Sequence, residues 1–251
     1  VAQPVDLPIW NTRCYQERGV YRFDQRRRFV KSIYKFALAV LFALGGSVQA
    51  APILQISDGT TTVTVADGSS GACGDTMAQS GVVGLSCTIG NWWLNLVIGI
   101  GHDVLGDQIH LNSLNASSSS GGTLTVAFTD TDFVNTGGYP ALNFGGGIGG
   151  FSAGTVNYWM YVSDANTAFG ADSLVGSGTG SGAFSGSFSD WEAVSGAYSM
   201  TLVARITHGW SNFPMATSFD FVGRVPEPGV LALLALGLLA LSIVARRRAT
   251  V

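Results

Sequence analysis

Through the middle of the chain, from Ala51 to Arg224, apolar residues recur at every second position in short runs, and clusters of Gly, Ser, Thr, Asn and Asp interrupt them. Successive side chains of an extended strand point to opposite faces, so this period specifies half-buried strands where a helix would need 3.6. Leu124, Val126 and Phe128 alternate with Thr123, Thr125 and Ala127, and Tyr198, Met200, Leu202, Ala204 and Ile206 share a face opposite Ser199, Thr201, Val203 and Arg205. The pattern repeats over 53–57, 61–66, 92–100, 108–114, 155–162, 183–188 and 218–222, about nine strands in all. Short strands, frequent turn residues and no convincing amphipathic helix predict an antiparallel β-sandwich of jelly-roll or Ig-like form over residues 51–224.

Charge narrows the class further. Charged residues make up 12% of the chain, against about 25% in an ordinary soluble domain. Eight of the thirteen Lys and Arg lie in residues 1–50 and three more are Arg246, Arg247 and Arg248. From Ala51 to Arg224, twelve acidic residues face only Arg205 and Arg224, with no Lys. An acidic body without lysine offers nothing to a phosphate backbone, which argues against nucleic acid as a partner.

The two ends read as export signals. Lys31 and Lys35 precede the apolar run 36–44, and small residues follow to Ala50, Ala51 and Pro52. That is the three-part pattern of a secretory signal peptide over 30–50, with cleavage between Ala50 and Ala51 and the secretion translocon as partner. Nine apolar residues are too few for a permanent span, which needs about 20. Residues 1–29 are polar and Arg-rich without a hydrophobic period, and the first Met is Met77. We read them as an upstream extension with Val30 as initiator; Arg26-Arg27-Arg28-Phe29-Val30-Lys31 also fits a twin-arginine export signal. At the other end, residues 229–245 carry no charge and run into Arg246, Arg247 and Arg248. As a helix this segment measures about 25 Å, enough for a membrane span with a basic stop. Its arginines belong on the cytoplasmic side, which places the body on the exported side.

Ahead of that span lies Val225-Pro226-Glu227-Pro228. Two prolines around a glutamate cannot continue a helix or join a central strand, so the segment is expected as an extended, accessible hinge. The motif, the apolar span and the arginine cluster together resemble the PEP-CTERM sorting signal of Gram-negative bacteria, covering residues 225–251. The resemblance implies recognition at Pro226, Glu227 and Pro228 by exosortase, a membrane-embedded cysteine protease or transpeptidase, transient anchoring in the inner membrane, and a mature form at the cell surface or in an exopolysaccharide biofilm matrix. More loosely, residues 107–133 resemble a hairpin of exported PEP-CTERM proteins, in which a polar loop ending in Gly-Gly joins two strands.

Inside the body, Cys73 and Cys87 flank Gly-rich turns, and in an oxidising compartment they are expected to form a disulfide worth about 3 kcal/mol. The third cysteine, Cys14, lies upstream of the signal. Gly145-Gly146-Gly147-Ile148-Gly149-Gly150 matches Gly-x-Gly-x-x-Gly literally, but the segment after it reads as a strand, so a flexible glycine loop is expected rather than a dinucleotide site. The run 176–186 is expected to be turn-rich or mobile. His102, His110 and His208 sit in no catalytic or zinc spacing, and Glu192 is the only glutamate of the body; the expectation is a protein that is not an enzyme and needs no cofactor, with a secreted hydrolase as the remaining alternative. Asp130 and Asp132, with Asn135 nearby, form an oxygen-rich pair that would suit Ca2+, although solvated turn carboxylates are the plainer account. Adjacent Trp92 and Trp93 must face opposite sides of a strand, so one of them is a candidate to stack on a sugar, with core packing as the alternative.

Overall fold

The computed structural model describes residues 51–225 apart from 136 and 212. The expectations for residues 1–50, for Pro226, Glu227 and Pro228, and for the span and basic stop fall outside the described residues. Ten strands follow in order: β1 (Ile53–Ser57), β2 (Thr62–Ala66), β3 (Val82–Ile89), β4 (Trp92–Ile100), β5 (Gln108–Ser118), β6 (Gly122–Val134), β7 (Leu142–Ser163), β8 (Ser173–Glu192), β9 (Ala197–His208) and β10 (Met215–Arg224). One helical turn, α1 (His102–Leu105), joins β4 to β5.

All pairings are antiparallel, in the order β2-β1-β6-β9-β7-β10-β5-β4-β3, with β8 on the remaining side of β7. The key to the architecture is β7. Its first half, through Ser152, pairs with β10, and its second half, from Thr155, pairs with β9. A bulge between Ser152 and Thr155 lets the strand bend out of one layer into the other, and β8 follows it along its whole length. The result is sandwich-like. One layer holds β2-β1-β6-β9, the other β3-β4-β5-β10, and the bent β7–β8 hairpin runs through both. The layers meet through inward rows such as Leu54 and Ile56, Val126 and Phe128, Leu202 and Ile206, facing Leu85, Leu94, Leu111 and Phe221. The Phe128 ring of β6 lies so close over Gly99 of β4 that no Cβ would fit there.

Three expectations need correction. The glycine run 145–150 is not a loop but part of β7, paired with both β8 and β10, and the run 176–186 lies in β8. Aromatic rings occupy the space that side chains would fill. A Cβ at Gly178 or Gly186 would stand 2.2 or 2.1 Å from the Tyr158 hydroxyl, and one at Gly146 or Gly176 would stand 2.4 Å from the Phe188 ring. Glycine therefore serves close approach here, and the strand ladder supplies the order that composition suggested was missing. Nor do β5 and β6 form a hairpin. β5 pairs with β4 and β10, β6 with β1 and β9, so residues 119–121 cross from one layer to the other. The crossing is pinned where Asn91 Nδ2 donates to the Gly121 carbonyl at 3.3 Å.

The third correction concerns Cys73 and Cys87, which are free thiols in side-chain contact rather than a bridge. Burial, reinforced by the hydrogen bond and the neighbouring charge of Cys73, pushes the Cys87 thiol up to about 12. A thiol held protonated is a poor participant in exchange, which needs the thiolate.

Candidate functional site

The chain enters and leaves the sandwich at the same pole. Ile53 pairs with Thr129, and the Val225 amide donates to the Asp107 carbonyl at 2.9 Å. β10 ends at Arg224 and Val225 is buried, so the first residue of the expected hinge is docked on the β4–β5 connection. The sorting segment therefore starts without a linker.

Asp130 and Asp132 lie at this pole but turn to different partners. Asp130 is 1% exposed, and its Oδ2 accepts from the His102 amide at 2.7 Å and stands 2.8 Å from His102 Nδ1. Its Oδ1 accepts from the Thr131 amide at 2.9 Å. Asp132, in the left-handed region at φ 63°, pairs with Asn166 through its amide and its carboxylate. The two carboxylates are thus neither solvated turn groups nor a shared cation cradle, and among the described residues no three His, Cys, Asp or Glu gather as metal ligands.

His102 is the residue that sequence reasoning missed as Asp130's partner. The hydrogen bond to Asp130 raises its pKa against the opposing effect of burial, with Asp103 and Asp132 adding to the rise. Its Nε2 lies 3.5 Å from an Asp103 carboxylate oxygen, and its ring packs on Phe133 with centroids 4.7 Å apart. The imidazole is a clamp between β6 and α1, with an acid on either nitrogen. Only the 28-residue separation in sequence hid it. A shallow cavity of about 290 Å³ near this pole is lined by Asn135, Tyr139, Asp164, Val194 and Ser195. Its polar groups serve the loops: Asn135 Nδ2 donates to the carbonyls of Tyr139 and Val194, and Asp164 accepts from the Ser195 amide at 2.7 Å.

The opposite pole carries aromatic surface. Trp92 is 1% exposed, with its ring 4.6 Å from that of His208, and so belongs to the core. His208 bridges Ser118 Oγ at 2.7 Å and Thr217 Oγ1 at 2.8 Å, and Thr217 reaches Ser152 Oγ at 2.7 Å. This buried chain ties β5, β9, β10 and β7 together where β7 bends. Burial lowers the His208 pKa, so the ring is held neutral. Trp93 faces outward and is 57% exposed, on the face that also carries exposed Phe151. Register places them three strands apart: Trp93 opposite Ser117 of β5, Ser218 of β10 opposite Asn115 of β5, and Phe151 opposite Ser218. At about 4.8 Å per strand, with a stagger of two residues along the strands, the two positions are roughly 16 Å apart across an uncharged floor. Trp210 and Phe213 stand exposed in the neighbouring β9–β10 loop.

Residues 224–248 match the model of the PEP-CTERM protein-sorting motif, beginning at the last residue of β10. The chain carries that sorting signal. No curated protein matches the chain. Among solved structures, a carbohydrate-binding module, CBM36, in complex with calcium and xylotriose is 13% identical over 43% of this chain and 76% of its own, with a TM-score of 0.23. A xylan-binding domain from CBM 22 is 12% identical over 55% and 88%, with a TM-score of 0.28. The adhesin domain of Epf from Streptococcus pyogenes is 8% identical over 69% and 58%, with a TM-score of 0.32. Similarity at this level carries no argument about ligand.

Proposed function

We propose that this is an exported, non-enzymatic surface protein of a Gram-negative bacterium. Its β-domain crosses the inner membrane through the translocon, is held there by the apolar tail, and is processed by exosortase at the proline-flanked neck for the cell surface or exopolysaccharide matrix. The observation that supports this reading is the sorting motif beginning at Arg224, with the domain docked down to Val225. A structural rather than catalytic role is favoured by the histidines: both ring nitrogens of His102 face carboxylates, and His208, which faces the hydroxyls of Ser118 and Thr217, is buried. The test is the intact mass of the protein recovered from cells with and without exosortase. The expected mass in the presence of the enzyme lacks the tail, and a full-length tail in both strains would overturn the reading.

A second reading, carbohydrate binding, is favoured by one observation: Trp93 and Phe151 stand exposed on one sheet face, with Ser and Asn between them. Trp92 has no part in it. Glycan binding that is lost in Trp93→Ala would support this reading, and binding unchanged by that substitution would remove it.

A further inference from the structure

The two lateral sides of the sandwich end differently. On one side lie β2 and β3, and on the other β8 alone, twenty residues long and paired only with β7. Among the described residues no strand or loop backbone bonds to the outer side of β8. From Ser173 to Ser189 it contains no ionisable side chain and no proline, so it lacks the usual means of blunting an open edge. A row of unpaired amides and carbonyls recruits another strand, and three features of this row select which one.

The stretch Phe184-Ser185-Gly186-Ser187-Phe188 reads the same in both directions. It lies in the regular part of β8, where pairing with β7 runs from Ser152↔Gly182 to Leu142↔Glu192 without a register shift. An antiparallel strand that pairs about a two-fold axis places residue i opposite residue j and j opposite i, so a palindromic edge is complementary to itself. With the axis at Gly186, Phe184 of one copy faces Phe188 of the other, and Ser185 faces Ser187.

The second feature is the state of the two rings. Phe184 and Phe188 are only partly buried and pack on the rim of the core, against Phe219 at 6.3 Å and Phe221 at 6.2 Å respectively. Cross-strand aromatic pairs would cover both rims at once. The third is charge. Asp190 and Glu192 close the strand, and in this register they fall opposite Gly182 and Gly180 of the other copy rather than opposite acids. We propose that a second copy of this chain pairs with β8 along residues 183–189, joining two sandwiches into one continuous antiparallel sheet. This rests on the fold and the edge alone, and stands whether or not the sorting and sugar readings do.

The register supplies its own test. The full chain is expressed as Ser185→Cys, as Ser187→Cys, and as both variants together in one cell, and is read on non-reducing gels beside the parent chain. Both serines are exposed, so the fold is retained. The expected result is a covalent dimer in the mixed expression and little in either variant alone, because residue 185 lies opposite 187 and only diagonal to 185. Added to the Ser185→Cys chain, Ser187→Lys should abolish its cross-link to the Ser187→Cys chain, and alone it should convert the processed protein from dimer to monomer in light scattering. Equal cross-linking in all three expressions, capture of a different protein by Ser185→Cys, or a monomeric parent chain would each overturn the proposal.

Discussion

The β3 side and the β8 side of this sandwich face the same physical problem and treat it in opposite ways. The outer side of β3 is covered by the loop that precedes it. The Thr76 amide donates to the Gly84 carbonyl at 2.8 Å, and Asp75 gathers the amides of Gly68, Met77 and Gly84 at 2.9–3.0 Å. A carboxylate and one turn of chain thus satisfy groups that would otherwise invite a neighbour. The β8 side has no such cover, only Gly, Ser and Thr alternating beside inward aromatic rings. An edge that can be covered in so few residues and is left open over twenty is available for use, which is the basis of the pairing proposed above.

The sharpest way to break this contrast is to remove the cover. Asp75→Ala takes away three charge-assisted hydrogen bonds, and we expect a loss of about 3 kcal/mol together with self-association through the newly opened β3 side. Urea unfolding with light scattering reads both; a stable, unassociated variant would show that the loop does not protect the edge. Next in size is the glycine floor of β8. Gly178→Ala drives a Cβ into the Tyr158 hydroxyl, and Tyr158 is nearly buried against Phe221, so about 2 kcal/mol should be lost by overpacking. Full stability would mean that the ring has room to move and that glycine there is incidental.

These cases also show what could be read without the fold. The strands 53–57 and 92–100 fall where the pattern puts them. β3 does not: Val82, Val83, Gly84 and Leu85 are buried in succession, and a bulge between Leu85 and Cys87 shifts the register, so period two never develops. Alternation separates Trp92 from Trp93 but does not say which is inside, since that depends on His208, a residue on the facing layer. Glycine runs are ambiguous for a similar reason. Their order comes from Tyr158, Phe184 and Phe188, whose rings fill the gaps only after β7 and β8 have paired. The Asp130 pair was visible as chemistry, but its partner His102 arrives from another layer.

A smaller effect tests the covered side chemically. With its thiol pushed up to about 12, Cys87 should present about a thousandfold less thiolate than a cysteine near 9, so in the reduced protein its alkylation near pH 8 should lag an exposed thiol by orders of magnitude. Rapid alkylation would show that β3 opens readily and that its cover is loose.

The mildest prediction carries the same contrast, closed against open, to the two poles. His208 is fully enclosed among Ser118, Thr217 and Trp92, with no charge against it, and its pKa is lowered by burial. Its unfolded form therefore binds protons more readily, so the stability it contributes is complete above about 6.5 and is lost as pH falls below that value. His102 is half-open, faces Asp130, Asp103 and Asp132, and has a raised pKa. Its contribution is complete below about 6.5 and is lost as pH rises through the folded value. The two slopes act on opposite sides of about pH 6.5 and together give the parent protein a stability maximum near it. His208→Gln should remove the acid-side slope and His102→Gln the other, so the stability difference from the parent shrinks toward pH 5 in the first variant and toward pH 9 in the second. Urea midpoints across that range decide it; if both variants ran parallel to the parent at every pH, the enclosed and the open histidine would be electrostatically alike, and the distinction between the poles would reduce to packing.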